Sequence, residues 1–267
     1  MRARALTAIV CLIAACASLV VAQTVDTVFL EELTWTELRD QIRAGKTTII
    51  VPAGGTEQNG PHMALGKHNV RVKALAERIA RGLGNALVAP VLAYVPEGRL
   101  APPSGHMRFP GTITVSDEAF QKILESAARS LKLHGFRDIV LIGDHGGTQA
   151  DLRAVAARLN QEWAKTGVRV HAVDEYYRAS DVEVPRLFAS RGYRSDELGA
   201  HAGLTDTSLM LAVDPRLVRT DKMKPGHRDT DGVDGDPTRA SAELGRLGED
   251  LIVARTIDAI KKSTAPR

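Results

Sequence analysis

Three short clusters in this 267-residue chain concentrate the residue types that bind metals and move protons. The first is Glu57-Gln58-Asn59-Gly60-Pro61-His62, followed by His68. The second is Asp144-His145-Gly146-Gly147. The third is His201-Ala202-Gly203, followed by Asp206. Imidazole and carboxylate without thiols suit zinc, manganese or iron. Two His with one carboxylate and an open position is a catalytic zinc arrangement. Such a metal acidifies a bound water and polarises a carbonyl. The flanking glycines permit tight turns and close approach of backbone to a ligand.

Each of these residues also has a structural reading. Glu57 can cap a helix or pair with a lysine. His68 can be a solvated residue just before a helix, and Asp144 a turn or N-cap residue. His201 and Asp206 fit loop and N-cap roles. His62 and His106 either orient a loop or touch substrate. His145 follows a buried strand between small residues, a placement that favours function. His134 sits at a helix C-terminus, where the dipole favours a cation, and is read as structural. His171, within a strand, is read the same way. His227 lies in a Gly-rich loop and carries no assignment.

The elements around the clusters alternate. Trp35 to Ala44 reads as a helix with Thr34 as N-cap, and Thr47 to Val51 as a buried strand ending at Pro52. Val72, Leu75, Ala76, Ile79 and Leu83 fall at helical spacing. Ala86 to Val95 is strand-like but interrupted by Pro90. Ser116 caps a helix carrying Phe120, Ile123, Leu124, Ala127 and Leu131 on one face. Asp138 to Ile142 is the clearest strand. A helix with Leu152, Val155, Ala156, Leu159 and Trp163 follows, then a strand from Val168 to Val173, and a last helix from about Arg239 to Lys262. Strands and helices in alternation, with continuously apolar strands, predict an α/β layer fold with a mostly parallel sheet. Ligands in such sheets bind beyond the carboxyl ends of the strands. That singles out the loops after Val51 and Ile142, where two of the clusters lie.

Composition is ordinarily globular, 44% hydrophobic and 25% charged. Arg2 and Arg4, the apolar run Leu6 to Ala15, and Val20-Val21-Ala22 resemble a signal peptide spanning 1–22, with cleavage before Gln23. A single domain, 23–267, would remain, exported to the periplasm or secreted. An uncleaved anchor and a lipoprotein modified at Cys16 are the alternatives, less favoured than simple export. After cleavage no stable membrane span is expected. Cys11 and Cys16 are the only two cysteines. The mature domain therefore has no disulfide framework, thiol catalysis or Cys-ligated zinc. Removing Arg2 and Arg4 takes the net charge from +3 to +1, which argues against a nucleic-acid partner.

Taken together, several segments resemble the creatininase family. They are Glu57 to His62, His68, Phe109-Pro110-Gly111-Thr112, Asp144 to Thr148, His201-Ala202-Gly203 with Asp206-Thr207-Ser208, and Gly235-Asp236-Pro237. Their order holds from about Leu33 to Ile260. The resemblance implies a three-layer α/β/α sandwich with a mainly parallel sheet, amide or related C–N hydrolysis of small, cyclic or formylated molecules, and assembly as a homo-oligomer, commonly a hexamer. It also implies two divalent metals. Here the positions of the first metal's ligands carry Glu57, His68 and His145. The bridging aspartate is His68. The second metal's positions carry Asn59, a poor zinc ligand, and Gly147, which offers none. Asp206 stands where the family has Glu.

The expectation is therefore a metal-dependent amidohydrolase with one divalent ion favoured over two, zinc first and manganese or iron as alternatives. Glu57, His68 and His145 would be its ligands, and water on the metal would attack the amide of a small-molecule substrate. Asp206 or Asp144 would take the proton, and His201 would protonate the leaving nitrogen or hold substrate. His62, His106, Gly146 and Gly147 would bind substrate. The backbone amides of Gly146 and Gly147 would face the oxyanion, and Pro96 to Arg108 would form a lid. The alternative is an inactive exported family member that binds a small ligand.

Overall fold

The computed structural model describes residues 25–265. The signal-like segment 1–22, with both cysteines, lies outside the described residues. Among them, no helix is long and apolar enough to cross a membrane.

Four parallel strands form the centre: β1 (Thr48–Ala53), β2 (Ala86–Val88), β3 (Asp138–Gly143) and β4 (Arg169–Ala172), in the order β2-β1-β3-β4. Ile50 pairs with Val88 on one side and Val140 on the other. All of β1 is buried, as befits a central strand covered on both faces. The strand runs on through Pro52. The Pro52 carbonyl accepts from the Leu92 amide on the β2 side, so its nitrogen faces that side too. There β2 has already ended at Val88, and the missing N–H leaves no partner unpaired. The strand expected from Ala86 to Val95 is accordingly only three residues long.

The helices are α1 (Trp35–Arg43), α2 (Lys67–Leu83), α3 (Asp117–Leu133), α4 (Gln149–Glu162), α5 (Glu175–Arg178), α6 (Val184–Ala189), α7 (Ser195–Leu198), α8 (Leu204–Val213) and α9 (Ala242–Thr264). Thr34 and Glu37 form a capping box on α1, and Ser116 accepts from the Ala119 amide to cap α3. A π-helical turn, Ala179–Glu183, joins α5 to α6.

Alternation along each strand sends side chains to two faces. Ile50, Val88, Val140 and Ile142 pack with Val72, Leu75 and Ile79 of α2 and Ile252 and Ile260 of α9. Ile49, Val51, Leu87, Ile139 and Leu141 pack with Phe120 and Leu124 of α3 and Leu152 and Leu159 of α4. The result is the three-layer α/β/α sandwich expected from the sequence. From β1 the chain crosses to β2 on one side, then to β3 on the other. A crevice opens between the carboxyl ends of β1 and β3, where this fold class places its ligands.

Candidate active site

A cavity of about 860 Å³ occupies that crevice, within the range of small-ligand sites. Its wall includes Glu57 from the loop after β1, Asp144 and His145 from the loop after β3, Glu97 and His106 from the stretch between β2 and α3, and His201 and Asp206 from the start of α8. Lys67, His68 and Arg71 reach it from the first turns of α2.

Three basic side chains at a helix N-terminus oppose the helix dipole. Here buried carboxylates compensate. Lys67 is only 1% exposed; its Nζ lies 3.0 Å from Asp206 and 3.8 Å from Glu57. Arg71 pairs with Asp144 at 2.8 Å and Asp206 at 2.7 Å. His68 is clamped at both nitrogens, Nε2 at 2.7 Å from Glu57 and Nδ1 at 2.6 Å from Asp144. The Tyr176 hydroxyl donates to the other Asp144 oxygen at 2.7 Å. Burial pushes Asp144 and Asp206 up, but Arg71 with His68, and Lys67 with Arg71, outweigh it and hold both carboxylates well below the usual range. Both aspartates are thus committed counter-ions. A carboxylate so firmly ionised is a weak proton acceptor at neutral pH.

Glu57 is fully buried, and donors surround it in two groups. Glu57, Glu97 and His145 offer atoms all within 4.8 Å of one another, as do Glu57, His106 and His201. His145 Nε2 lies 3.4 Å from Glu57 and 3.1 Å from Glu97. His106 Nε2 lies 3.2 Å from Glu57, and His201 Nδ1 3.7 Å. Gln58 serves the second group. Its Oε1 accepts from the Gly60 amide, which fixes Nε2 as the donor end, 2.9 Å from His106 Nδ1. His106 therefore carries its proton on Nε2, toward Glu57. His201 Nε2 meets the Gln58 carbonyl at 2.9 Å. Burial holds both imidazoles neutral, His106 down to about 4 and His201 to about 3.

The first group is unsatisfied. Glu57 Oε2 and both Glu97 oxygens are buried without a hydrogen-bond partner. Burial and the Glu57 charge push Glu97 up to about 10, whereas His68 and His145 outweigh burial to keep Glu57 ionised. Buried polar atoms are almost always paired. Three orphaned carboxylate oxygens beside an imidazole are what a divalent cation would satisfy, so the residues present fit a metal ion.

The structure brings Glu57 and His145 together as the sequence suggested, but His68 joins neither donor group. Its ring nitrogens are both taken by carboxylates. His106, Gly146, Gly147 and His201 line the cavity. The Gly147 amide donates to His145 Nδ1 at 3.2 Å rather than facing an oxyanion. His62 does not line the cavity; it is fully buried, with Nε2 3.0 Å from Thr207. Asn59 braces the backbone, donating to the Glu57 carbonyl at 2.9 Å. Ala202 adopts φ 55°, rare for a residue with a Cβ, and its amide donates to Asp206 at 3.0 Å. Such strain persists where the surroundings enforce it, commonly at sites. Sequence reasoning missed Lys67, Arg71, Glu97 and Tyr176 as site residues.

Comparisons with known proteins agree with this arrangement. The family model described as creatinine amidohydrolase matches residues 31–260. The creatinine amidohydrolase of Pseudomonas putida is 27% identical over 258 residues, covering 90% of this chain and 98% of that protein. A mycofactocin precursor peptide peptidase of Mycolicibacterium smegmatis is 28% identical over 245 residues, covering 83% and 87%. A manganese form of creatininase superposes with TM-score 0.73 at 28% identity, over 90% of this chain and 100% of that one. A zinc–zinc form of a creatininase variant matches with TM-score 0.73 at 27% identity, over 90% and 99%. The chain belongs to the creatininase family of metal-dependent amidohydrolases.

Proposed function

We propose that this chain hydrolyses an amide C–N bond of a small polar substrate, cyclic or formylated, using one divalent ion per chain, zinc before manganese or iron. The observation that carries this reading is the set of orphaned carboxylate oxygens facing His145 at the mouth of the strand crevice. Glu57 and His145 would hold the ion. To hold an ion through Nε2, His145 would carry its ring proton on Nδ1 and forgo the long contact with the Gly147 amide. When bound, the ion supplies an acidified water and a Lewis acid for the carbonyl.

The chain's own residues do the rest. Lys67 fixes positive charge 3.8 Å from Glu57 Oε1, where a second cation would be repelled. That supports a single ion. His106, neutral and on the cavity wall, carries its proton on Nε2 and is placed to donate a hydrogen bond to the substrate rather than to give up the proton. His201, tied to the Gln58 carbonyl, holds the substrate side of Glu57 in place. Asp144 and Asp206 keep the basic residues oriented rather than taking a proton.

The same reading makes the protein an exported homo-oligomer, periplasmic or secreted. Its support is the composition of residues 1–22 and, for a hexamer, the family resemblance. A panel of creatinine, other lactams, formamides and short peptides, assayed with zinc- or manganese-loaded protein, tests the activity. Amine release that disappears in Glu57→Gln is expected. Metal-free protein that binds a panel member without turnover would replace hydrolysis with ligand binding.

A further inference from the structure

The carboxylate of Glu97 is buried with no partner, and the chain around it is shaped to admit it. We propose that Glu97 is a direct ligand of the ion, supplying from the loop after β2 the carboxylate that Gly147 cannot supply from the loop after β3. This rests on the metal-dependent reading above and extends its ligand set.

Three observations converge. Glu97 is 6% exposed, and neither carboxylate oxygen makes a hydrogen bond. One lies 3.1 Å from His145 Nε2, inside the donor group shared with Glu57. Two glycines make the room. A Cβ at Gly55, where φ is +148°, would stand 2.7 Å from Glu97 Oε1. A Cβ at Gly147 would stand 2.8 Å from the His145 ring and 3.2 Å from the Pro96 carbonyl. A side chain at 147 would thus drive into the Pro96–Glu97 segment. Its absence lets that segment close on His145 and deliver a carboxylate to the same place.

The segment is held by backbone contacts. The Glu97 amide donates to Thr114 Oγ1 at 3.0 Å, and Val95 bridges Thr114. Glu97 therefore points inward from an anchored backbone, which a ligand requires. The resulting set, two carboxylates and one imidazole, is harder than two imidazoles and one carboxylate. It narrows the preference for zinc over manganese.

The alternative role for Glu97 is a neutral carboxylic acid sharing a proton with Glu57, with no metal contact. Glu97→Gln separates the two, because glutamine reproduces the neutral acid but is a poor ligand. Full-length mature protein, Glu97→Gln, and His145→Ala as a ligand control would be dialysed with Zn2+ or Mn2+ and measured for bound metal. A chelator competition would give affinity, and thermal unfolding would be followed with and without metal. If Glu97 is a ligand, Glu97→Gln loses on the order of 10–100-fold or more in affinity. Without metal it unfolds at or above the wild-type temperature, since a buried unpaired carboxyl has gone. With metal the order reverses. Glu97→Gln that keeps wild-type affinity while His145→Ala loses it overturns the Glu97 assignment alone. Wild-type protein that takes up neither ion overturns the metal-dependent reading with it.

Discussion

Nδ1 of His68 sits 2.6 Å from Oδ2 of Asp144, and through it the first turn of α2 is tied to the end of β3. Asp144 also answers Arg71 and the Tyr176 hydroxyl, so one buried carboxylate closes three contacts. Asp144→Asn leaves the Arg71 guanidinium short of its counter-charge. Breaking one member of a buried ionic network costs about 3–5 kcal/mol. We expect a loss of that order in the unfolding free energy obtained from urea titration. In the double variant with Arg71→Met the loss should fall short of the sum of the two single losses. Additive losses would show that the two residues do not act together.

Acid should undo the same network. Asp144 and Asp206 are both held below the ordinary carboxylate range in the folded protein. A depressed carboxylate contributes stability that is full above its unfolded value, near 3.9, and is lost as pH falls through the folded one. Stability measured with chelator present should therefore decline steeply below about pH 4. The decline should flatten in Asp144→Asn, which has one fewer proton to take up. An unchanged slope in that variant would place the acid sensitivity elsewhere.

Metal removal should act on fold and activity together. An ion that binds only the native state adds about 2.7 kcal/mol at a hundredfold excess over Kd. For a domain of this size that corresponds to roughly 5–10 °C in Tm. Chelation should lower Tm by that order and abolish amide hydrolysis, and added Zn2+ or Mn2+ should restore both. Hydrolysis that survives exhaustive chelation would refute metal dependence.

Lys67 carries the second fixed charge of the site. Lys67→Met removes the ammonium 3.8 Å from Glu57 while keeping the length of the stem. If that charge stabilises the reacting carbonyl or orders Glu57, kcat should fall by about 10²–10³ with metal content near one ion per chain. Loss of metal along with kcat would assign Lys67 to ion binding instead. An unchanged kcat would make it a structural counter-ion of Asp206.

The elements carrying strong local signals were legible from the sequence. Thr34 announces α1, Ser116 announces α3, and the β-branched runs Ile49-Ile50-Val51 and Ile139-Val140 read as covered strands. The clusters around Glu57 and His145 were legible because a strand's carboxyl end is a privileged place for polar residues. The rest depended on contacts distant in sequence. Lys67 and Arg71 look like solvated helix residues until Asp206 and Asp144 arrive from far along the chain. The one hint was a run of bases at a helix start with no acid among them. Glu97 lies in a stretch read only as a lid, and a lone acid between Pro96 and Gly98 has no periodic signature. His68 was assigned to the metal because its position matches a family ligand. In the structure its two nitrogens meet Glu57 and Asp144, a pairing that sequence spacing does not encode. Residues 175–213 carried no assigned element, because their helices are short and α8, the longest, has no apolar stripe along one face.

The π-helical turn between α5 and α6 gives this site a means of adjustment. Tyr176, before the turn, reaches in to Asp144, while Tyr177, Ser180, Asp181 and Pro185 face the cavity. A wide turn is one residue looser than a regular one. Deleting a single residue there would convert it to a regular turn while the flanking helices α5 and α6 keep their phase. Tyr176 would keep its hold on Asp144, while the turn's own cavity-facing positions, Ser180 and Asp181, would be redrawn. A change of length at this point would therefore alter one wall of the cavity without touching the loops after β1 and β3 that carry Glu57 and His145.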